Sequence, residues 1–227
     1  MKYIYFHPFF EERKWAHRFS FQLSCAFKKI GIDIERFDYY GTGEAEGNFE
    51  DVSFDSLQNS IQQNLTDDSY CLIGTRLGAT LAFICMNQMS IKVEKLIMIN
   101  PIIQGNDYIN YIYRQQNIKN LLTGNFKEET DQKEYVNIEG FKTNILLINQ
   151  INLFSIHNSY NVHKKSIPIH YFYISKNGKL PSDAMKDIDI LKARYTNMNI
   201  TLLSLPLFWQ RIAASDYSEL INKILVC

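Results

Sequence analysis

Residues 70–83 read YCLIGTRLGATLAF, and they point to a strand followed directly by a helix. An apolar, β-prone run ends at Gly74, and a segment rich in small residues begins just after Gly78. Glycines placed two residues before and two residues after one side chain permit a sharp turn between a strand and a helix. Arg76 occupies the centre of this turn, which we call the elbow (residues 74–78). We therefore expect the Arg76 side chain to stand above the edge of a sheet.

The segments on either side repeat this alternation of strand and helix. Apolar β-prone runs predict strands, and apolar residues spaced three to four apart predict helices. Such a pattern indicates a mostly parallel sheet flanked by helices on both faces, and 227 residues suit a single α/β domain. The predicted strands are 2–7, 32–37, 70–73, 95–100, 167–175 and 200–205, and the predicted helices are 15–30, a segment through Leu57, Ile61 and Leu65, 79–89, 182–195 and 216–225.

One long segment between Pro101 and Ser166 interrupts the alternation. It lacks evident strand character, and Tyr108 and Ile112 are part of a helical spacing. Connections of this length are uncommon inside a compact domain unless they carry a function. We therefore predict that residues 102–166 form a helical insertion that serves as a cap or lid within the single domain 1–227.

The charge balance argues against two kinds of partner. The chain has 24 basic and 24 acidic residues, so its formal net charge is zero and no overall field attracts nucleic acid or an anionic membrane. The sequence has no run of about 18 apolar residues, so no membrane span is predicted. The start is too short and too charged for a signal peptide.

The cysteines indicate a reducing environment. Cys25, Cys71, Cys85 and Cys227 form no C-x-x-C pair and have spacings typical of neither a zinc site nor a disulfide framework. We expect the first three to be buried thiols in apolar surroundings. The resulting predictions are a cytoplasmic protein with no metal and no cofactor.

Two further motifs lie near the predicted strand ends. In DYYGTGEAEGNF (38–49) the glycines resemble a dinucleotide-binding turn, but Glu44 and Glu46 would put negative charge where a pyrophosphate should lie. We interpret it as a long glycine-dependent turn. HPFFEE (7–12) follows the first strand, where a loop could supply a backbone N–H to a negatively charged oxygen. Alternatively, Glu11 and Glu12 simply favour the positive end of the following helix.

Taken in order, these motifs resemble those of α/β-hydrolase-fold proteins. They are HPF-x-EE at 7–12, D-x-x-G-x-G-x-x-x-G-x-F at 38–49, G-x-R-x-G-A at 74–79 and N-P-x-x-x-G at 100–105. More narrowly, the chain is similar to the exosortase-system-associated hydrolases, which are found near bacterial exopolysaccharide gene clusters, and to a subgroup that carries arginine at the elbow. The resemblance covers about residues 1–120 and is fainter toward Phe208-Trp209-Gln210. It implies an α/β-hydrolase fold, a bacterial source and a biosynthetic or exopolysaccharide pathway.

The catalytic triad that this fold usually carries is not predicted here. The nucleophile position holds Arg76, and arginine stays protonated in proteins, so it is neither a nucleophile nor a base. The acid expected after strand 167–175 is doubtful, with Asp183 some residues later, and no histidine follows the last strand. A standard Ser-His-Asp mechanism requires all three members to cooperate.

Two roles for Arg76 remain open from the sequence. At the start of a helix, a guanidinium beside backbone N–H groups can bind a carboxylate or phosphate. It can also form an internal salt bridge with Glu11, Glu12 or Asp38, because a buried unpaired arginine would be costly. A ligand and a protein carboxylate could share the guanidinium.

Three functional hypotheses follow. The first is binding of an anionic or acyl small molecule in the cleft. The second is an active non-standard hydrolase or acyltransferase acting on esters, thioesters or amides. The third is a structural partner for another biosynthetic protein, with Tyr108, Tyr111 and Tyr113 forming the interface. The candidate catalytic residues are Arg76, Glu12, His7 and Asp38; the candidate oxyanion or ligand-binding residues are Phe9, Phe10, Thr75 and Leu77; the elbow glycines are Gly74 and Gly78.

Overall fold

The fold is built around a parallel β-sheet. A computed structural model describes residues 1–65, 69–124, 134–210 and 215–227 of the chain. The sheet strands, numbered in chain order, are β1 (Lys2–Phe6), β2 (Ile34–Arg36), β3 (Ser69–Thr75), β4 (Lys92–Ile99), β7 (Ile169–Ser175) and β8 (Met198–Ser204). They pair in the order β2-β1-β3-β4-β7-β8, and every neighbouring pair is parallel. The predicted parallel sheet is therefore confirmed. Because all six strands run in the same direction, their carboxyl ends lie along one edge of the sheet.

Helices connect these strands, and their positions agree with the sequence-based prediction to within a few residues for most of them. Gly31, with φ +79°, follows the end of the first helix, and Ser53 caps the second through reciprocal hydrogen bonds with Ser56. The first helix starts five residues earlier than predicted, at Phe10. The helices are α1 (Phe10–Lys29), α2 (Phe54–Asn64), α3 (Leu77–Gln88), α4 (Gly105–Thr123), α5 (Ile145–Leu153), α6 (Ser182–Arg194) and α7 (Ser218–Leu225).

The chain divides into two compact units. The first comprises Met1–Phe37, Asp67–Ile103 and Ile156–Cys227, and it contains the six-stranded sheet. Its core lies where α1 and α7 pack on the sheet: Phe19 stacks on Phe208 with ring centroids 4.0 Å apart. The helix α3 is buried almost all round, from Leu77 to Asn87, because its small and apolar residues leave no polar face.

The second compact unit comprises Asp38–Thr66 and Gln104–Ser155. It contains α2, α4, α5 and a two-stranded antiparallel hairpin of β5 (Tyr135–Ile138) and β6 (Phe141–Asn144). The prediction that residues 102–166 lack strand character is therefore wrong. Each strand has only four residues, and a hairpin this short leaves too little alternation to be read from the sequence.

Two smaller predictions also need correction. Cys25 is exposed on α1, whereas Cys71 and Cys85 are buried as expected. Tyr108 is only 2% exposed, so its side chain is part of the packed interior and not of a surface available to a partner.

Within the described part of the chain, no helix combines the length and apolar character needed to cross a membrane.

Candidate functional site

The elbow has the sharp geometry that its sequence predicts. Arg76 lies between β3 and α3 with φ 56° and ψ −126°, a conformation that non-glycine residues rarely adopt. A Cβ atom on Gly74 would lie 2.4 Å from the Ala79 Cα, and one on Gly78 would lie 2.3 Å from the carbonyl oxygens of Phe6 and His7. Both glycines are therefore needed for the helix to start this close to the strands.

The Arg76 guanidinium is held by an internal carboxylate. Its Nε donates a hydrogen bond to Glu12 Oε1 at 2.9 Å, and its Nη1 donates to the Asn100 carbonyl oxygen at 3.4 Å. The two side chains are 16% and 6% exposed, so the pair is largely removed from water. Of the internal partners predicted for Arg76, Glu12 is the one in this ion pair.

The position of Glu12 follows from the register of α1. Glu12, Ala16 and Phe19 are buried at spacings of four and three residues, so the carboxylate lies on the helix face that packs inward. Glu12 also lies in the first turn, where a negative charge favours the positive end of the helix. The prediction that it opens a helix and the prediction that it pairs with Arg76 are both confirmed.

Trp209 lies beside the Arg76 guanidinium. The Arg76 Cζ lies 5.4 Å from the centroid of the Trp209 ring, which is within cation–π range. Trp209 follows β8 and is 2% exposed, packed edge-on against Phe208. An aromatic ring therefore stands after the last strand, where the sequence has no histidine.

Asn100 is not among the predicted site residues, yet it connects two strands beside Arg76. It has φ 42° at the end of β4. Its side chain accepts a hydrogen bond from the Ile174 N–H at 2.7 Å and donates one to the Ile174 carbonyl at 3.0 Å, so it fixes β7 to β4. The signal in the sequence was an asparagine followed by proline at a strand end.

The other candidate residues have separate positions. The Thr75 hydroxyl accepts a hydrogen bond from the Tyr5 hydroxyl at 2.8 Å and is fully buried. Leu77 begins α3 and is buried. Phe9 and Phe10 are buried with their rings edge to face, 5.0 Å apart, and Phe10 has φ 51°.

Two predicted acid–base candidates also have specific surroundings. His7 is 6% exposed, and its ring stands edge-on to Tyr5 at 5.0 Å. Asp38 belongs to the second compact unit, where its carboxylate accepts a hydrogen bond from the Glu44 N–H at 3.0 Å. The doubtful acid Asp183 has a side chain 92% exposed at the start of α6. The catalytic roles suggested for His7 and Asp38 stay predictions.

The charge of Arg76 affects the pKa of two tyrosines on β7. Burial raises the pKa of Tyr171 and of Tyr173, and the positive charge of Arg76 partly opposes that rise in each pKa. Tyr171 and Tyr173 alternate along the strand, so they share one face of the sheet. Sequence reasoning missed them because two tyrosines in a buried strand look like ordinary core residues.

A contact between a histidine and a carboxylate lies elsewhere in the first unit. His157 Nε2 lies 3.0 Å from Asp187 Oδ1, and Arg194 donates a hydrogen bond to the His157 carbonyl oxygen. This pair connects the segment before β7 to α6. Across the described ranges, no group of three or more histidine, cysteine, aspartate or glutamate residues is arranged to hold a metal ion.

Comparisons with known proteins identify the fold. No protein-family model matches the sequence, and no curated protein matches it significantly. Among solved structures, alpha/beta hydrolase domain-containing protein 10 from mouse has a TM-score of 0.56 at 15% identity, covering 99% of this chain and 88% of its own. An esterase of Pyrococcus furiosus has a TM-score of 0.63 at 12% identity, and the match covers 98% of this chain and 78% of the esterase.

A methylesterase of Arabidopsis gives a TM-score of 0.60 at 13% identity, covering 100% of this chain and 98% of its own. At sequence identities this low, the structural similarity establishes the fold and nothing finer. The chain therefore has the α/β-hydrolase fold, with Arg76 at the turn after β3.

Proposed function

We propose that this chain is an α/β-hydrolase-fold protein with a degenerate triad, and that it binds an anionic or acyl small molecule at Arg76. The observation that carries the proposal is the elbow itself: its strained geometry is retained, yet the side chain it presents is a guanidinium. Backbone strain of this kind is typically kept where a side chain has a function. A similarity to hydrolase folds does not by itself imply hydrolase chemistry.

The surroundings of Arg76 argue against the usual serine mechanism. An arginine cannot attack a carbonyl or accept a proton. Trp209 lies after β8, where the fold usually places its histidine, and an indole N–H is a donor that cannot act as a base. Glu12, the carboxylate in contact with the elbow, is already engaged by Arg76 in an ion pair.

The same surroundings favour binding of an anion. Arginine presents five N–H donors in a planar fork, so a ligand carboxylate or phosphate can share the guanidinium with Glu12. Arg76 also precedes the first residue of α3, a twelve-residue helix whose positive end favours negative charge. Phe9, Phe10 and Leu77 are buried apolar side chains in the two segments that meet at the elbow, and apolar surroundings of this kind suit an acyl chain.

Calorimetric titration with acetate and decanoate tests this function. The informative variant is the pair Arg76→Met with Glu12→Leu, which removes the site without leaving a buried charge alone. Arg36→Gln, a change on the exposed end of β2, is the control. We expect saturable binding of decanoate to the parent and the control, and binding weakened by about tenfold or more in the double variant. Equal affinity in all three proteins, or no binding to the parent, would contradict the proposal.

The second candidate function is an active non-standard hydrolase or acyltransferase. One observation favours it: Glu12 is a carboxylate 5% exposed and in direct contact with the elbow. Turnover of p-nitrophenyl esters and acyl thioesters that is abolished by Glu12→Gln would support this enzyme over the binding protein. Absence of turnover, together with ligand binding, would support the binding protein. Labelling by a serine-directed fluorophosphonate is expected to fail in either case.

A further inference from the structure

A shallow depression beside the start of α1 is lined by four basic side chains. His7, Arg13, Lys14 and His17 line a cavity of about 350 Å³. Small-molecule sites commonly have volumes of about 300–1,000 Å³. His7 is 6% exposed, whereas Lys14 and His17 are exposed, so the depression combines a buried imidazole with an accessible rim.

Local structure explains why these side chains gather here. His7 comes from the segment that joins β1 to α1, and its ring is set by the edge-on contact with Tyr5. Lys14 and His17 lie three residues apart on α1, so their side chains are on the same side of the helix. The Lys14 ammonium lies 5.3 Å from the Trp15 ring centroid, a cation–π contact that holds it near the helix surface.

The charges in this depression are predominantly positive. Arg13 and Lys14 supply two permanent positive charges, and each histidine offers an N–H donor in either tautomer. The acidic residues of the same helical turn are Glu11 and Glu12, and the Glu12 carboxylate is engaged by Arg76 in the buried pair. Because arginine and lysine stay protonated at neutral pH, the lining carries at least two positive charges.

We propose that the depression lined by His7, Arg13, Lys14 and His17 binds the phosphate group of a small phosphate monoester. A phosphate monoester carries a charge of about −1.5 to −2 at pH 7 and three strong acceptor oxygens, which match two cations and two imidazole donors. A monocarboxylate carries a single negative charge and only two acceptor oxygens. Arginine and lysine are both established phosphate partners, the first through its fork and the second as a point charge. This site goes beyond the function proposed at Arg76 and does not depend on it.

Titration with phenyl phosphate at low ionic strength tests the site. The test variant combines Lys14→Ala with His17→Ala, both exposed positions that the fold should tolerate. The matched control is Lys28→Ala, an exposed lysine in the last turn of the same helix. We expect saturable 1:1 binding to the parent and the control, weakened by about tenfold or more in the double variant. Benzoate should bind more weakly than phenyl phosphate.

Several outcomes would overturn the phosphate site. They are no saturable binding to the parent, equal binding to the double variant, or an equal loss in the Lys28→Ala control, which would indicate a general charge effect. Binding to vesicles containing phosphatidic acid without binding of phenyl phosphate would also overturn it, because it would assign the surface to a lipid. The Arg76→Met, Glu12→Leu variant should keep phenyl phosphate binding, so failure at Arg76 and failure here are distinguishable.

Discussion

A buried ion pair occupies the turn after β3 and dominates the chemistry of single residues in this protein. Removing two charges from water is costly, and the attraction between them repays that cost only when the geometry is good. Arg76 and Glu12 meet at 2.9 Å, with additional contacts of the guanidinium to Asn100 and Trp209. Each charge therefore depends on the other for its burial.

The mutual dependence of Arg76 and Glu12 predicts how changes at these two residues affect stability. Either Arg76→Met or Glu12→Leu alone should lower the free energy of unfolding by about 3–5 kcal/mol, because each leaves the other charge buried without its ion-pair partner. The combined Arg76→Met, Glu12→Leu variant should cost less than either single change, since apolar side chains can replace the pair. Urea unfolding at pH 7 measures all three values.

An exposed pair provides the control for that measurement. Lys92 and Glu94 are 2.8 Å apart with side chains 74% and 42% exposed. Lys92→Ala should change the free energy of unfolding by less than about 1 kcal/mol, because water screens exposed pairs. Strictly additive effects of the Arg76 and Glu12 changes would show that the two side chains do not stabilise each other.

At the level of secondary structure, the start of α3 packs directly against the backbone at the end of β1. Gly78 is the second residue of α3, and its Cα faces the carbonyl oxygens of Phe6 and His7. These are backbone atoms that cannot rotate away as a flexible side chain could. The contact sets how near the start of α3 lies to the carboxyl edge of the sheet, and so where Arg76 stands.

At the element scale, we predict that Gly78→Ala destabilises the protein by about 3 kcal/mol or more, since the added methyl has no room. This would occur although alanine has a helix propensity about 1 kcal/mol better than glycine. Gly31→Ala is the control: it meets nothing within 4 Å, and only its φ of +79° costs energy, about 1–2 kcal/mol. Thermal unfolding of both variants compares the costs, and a smaller loss for Gly78→Ala than for Gly31→Ala would refute the packing argument.

In the molecule as a whole, several cysteine thiols and tyrosine hydroxyls are buried in the core and keep their protons. Burial raises the pKa of the Cys71 thiol from 9.0 to about 12. Burial also raises the pKa of Cys85, Tyr5 and Tyr195. In the unfolded chain these groups lose their protons at ordinary pKa values, whereas the folded protein keeps them.

The whole-molecule prediction is therefore a loss of stability in alkaline solution. Above pH 9 the unfolded state binds fewer protons than the folded state, so stability falls as the pH rises toward 12. Cys71 alone contributes a slope of about 1.4 kcal/mol per pH unit in this window. Urea unfolding of the parent and Cys71→Ala at pH 8, 9.5 and 10.5 measures the slope. The variant should be less stable at pH 8 but lose less on alkalinisation; identical slopes would contradict the assignment.

The sequence is enough to predict the alternation of strands and helices and the sharp turn at Arg76. Both depend on local patterns: hydrophobic periodicity within a segment, and glycines two residues to either side of one position. It also indicated that no histidine follows the last strand. The four-residue strands of the β5–β6 hairpin could not be predicted, because so few residues leave no periodicity to detect.

The carboxylate that pairs with Arg76 could not be chosen from the sequence. Glu12 lies 64 positions earlier in the chain, and nothing in the local sequence distinguishes it from Glu11 as a partner. The choice follows from the register of α1, which buries Glu12 with Ala16 and Phe19, and from the position of α3 against β1. Trp209 and Asn100 join the same guanidinium from two other strand ends. Long-range packing brings these groups together, and a pattern confined to one segment cannot specify it.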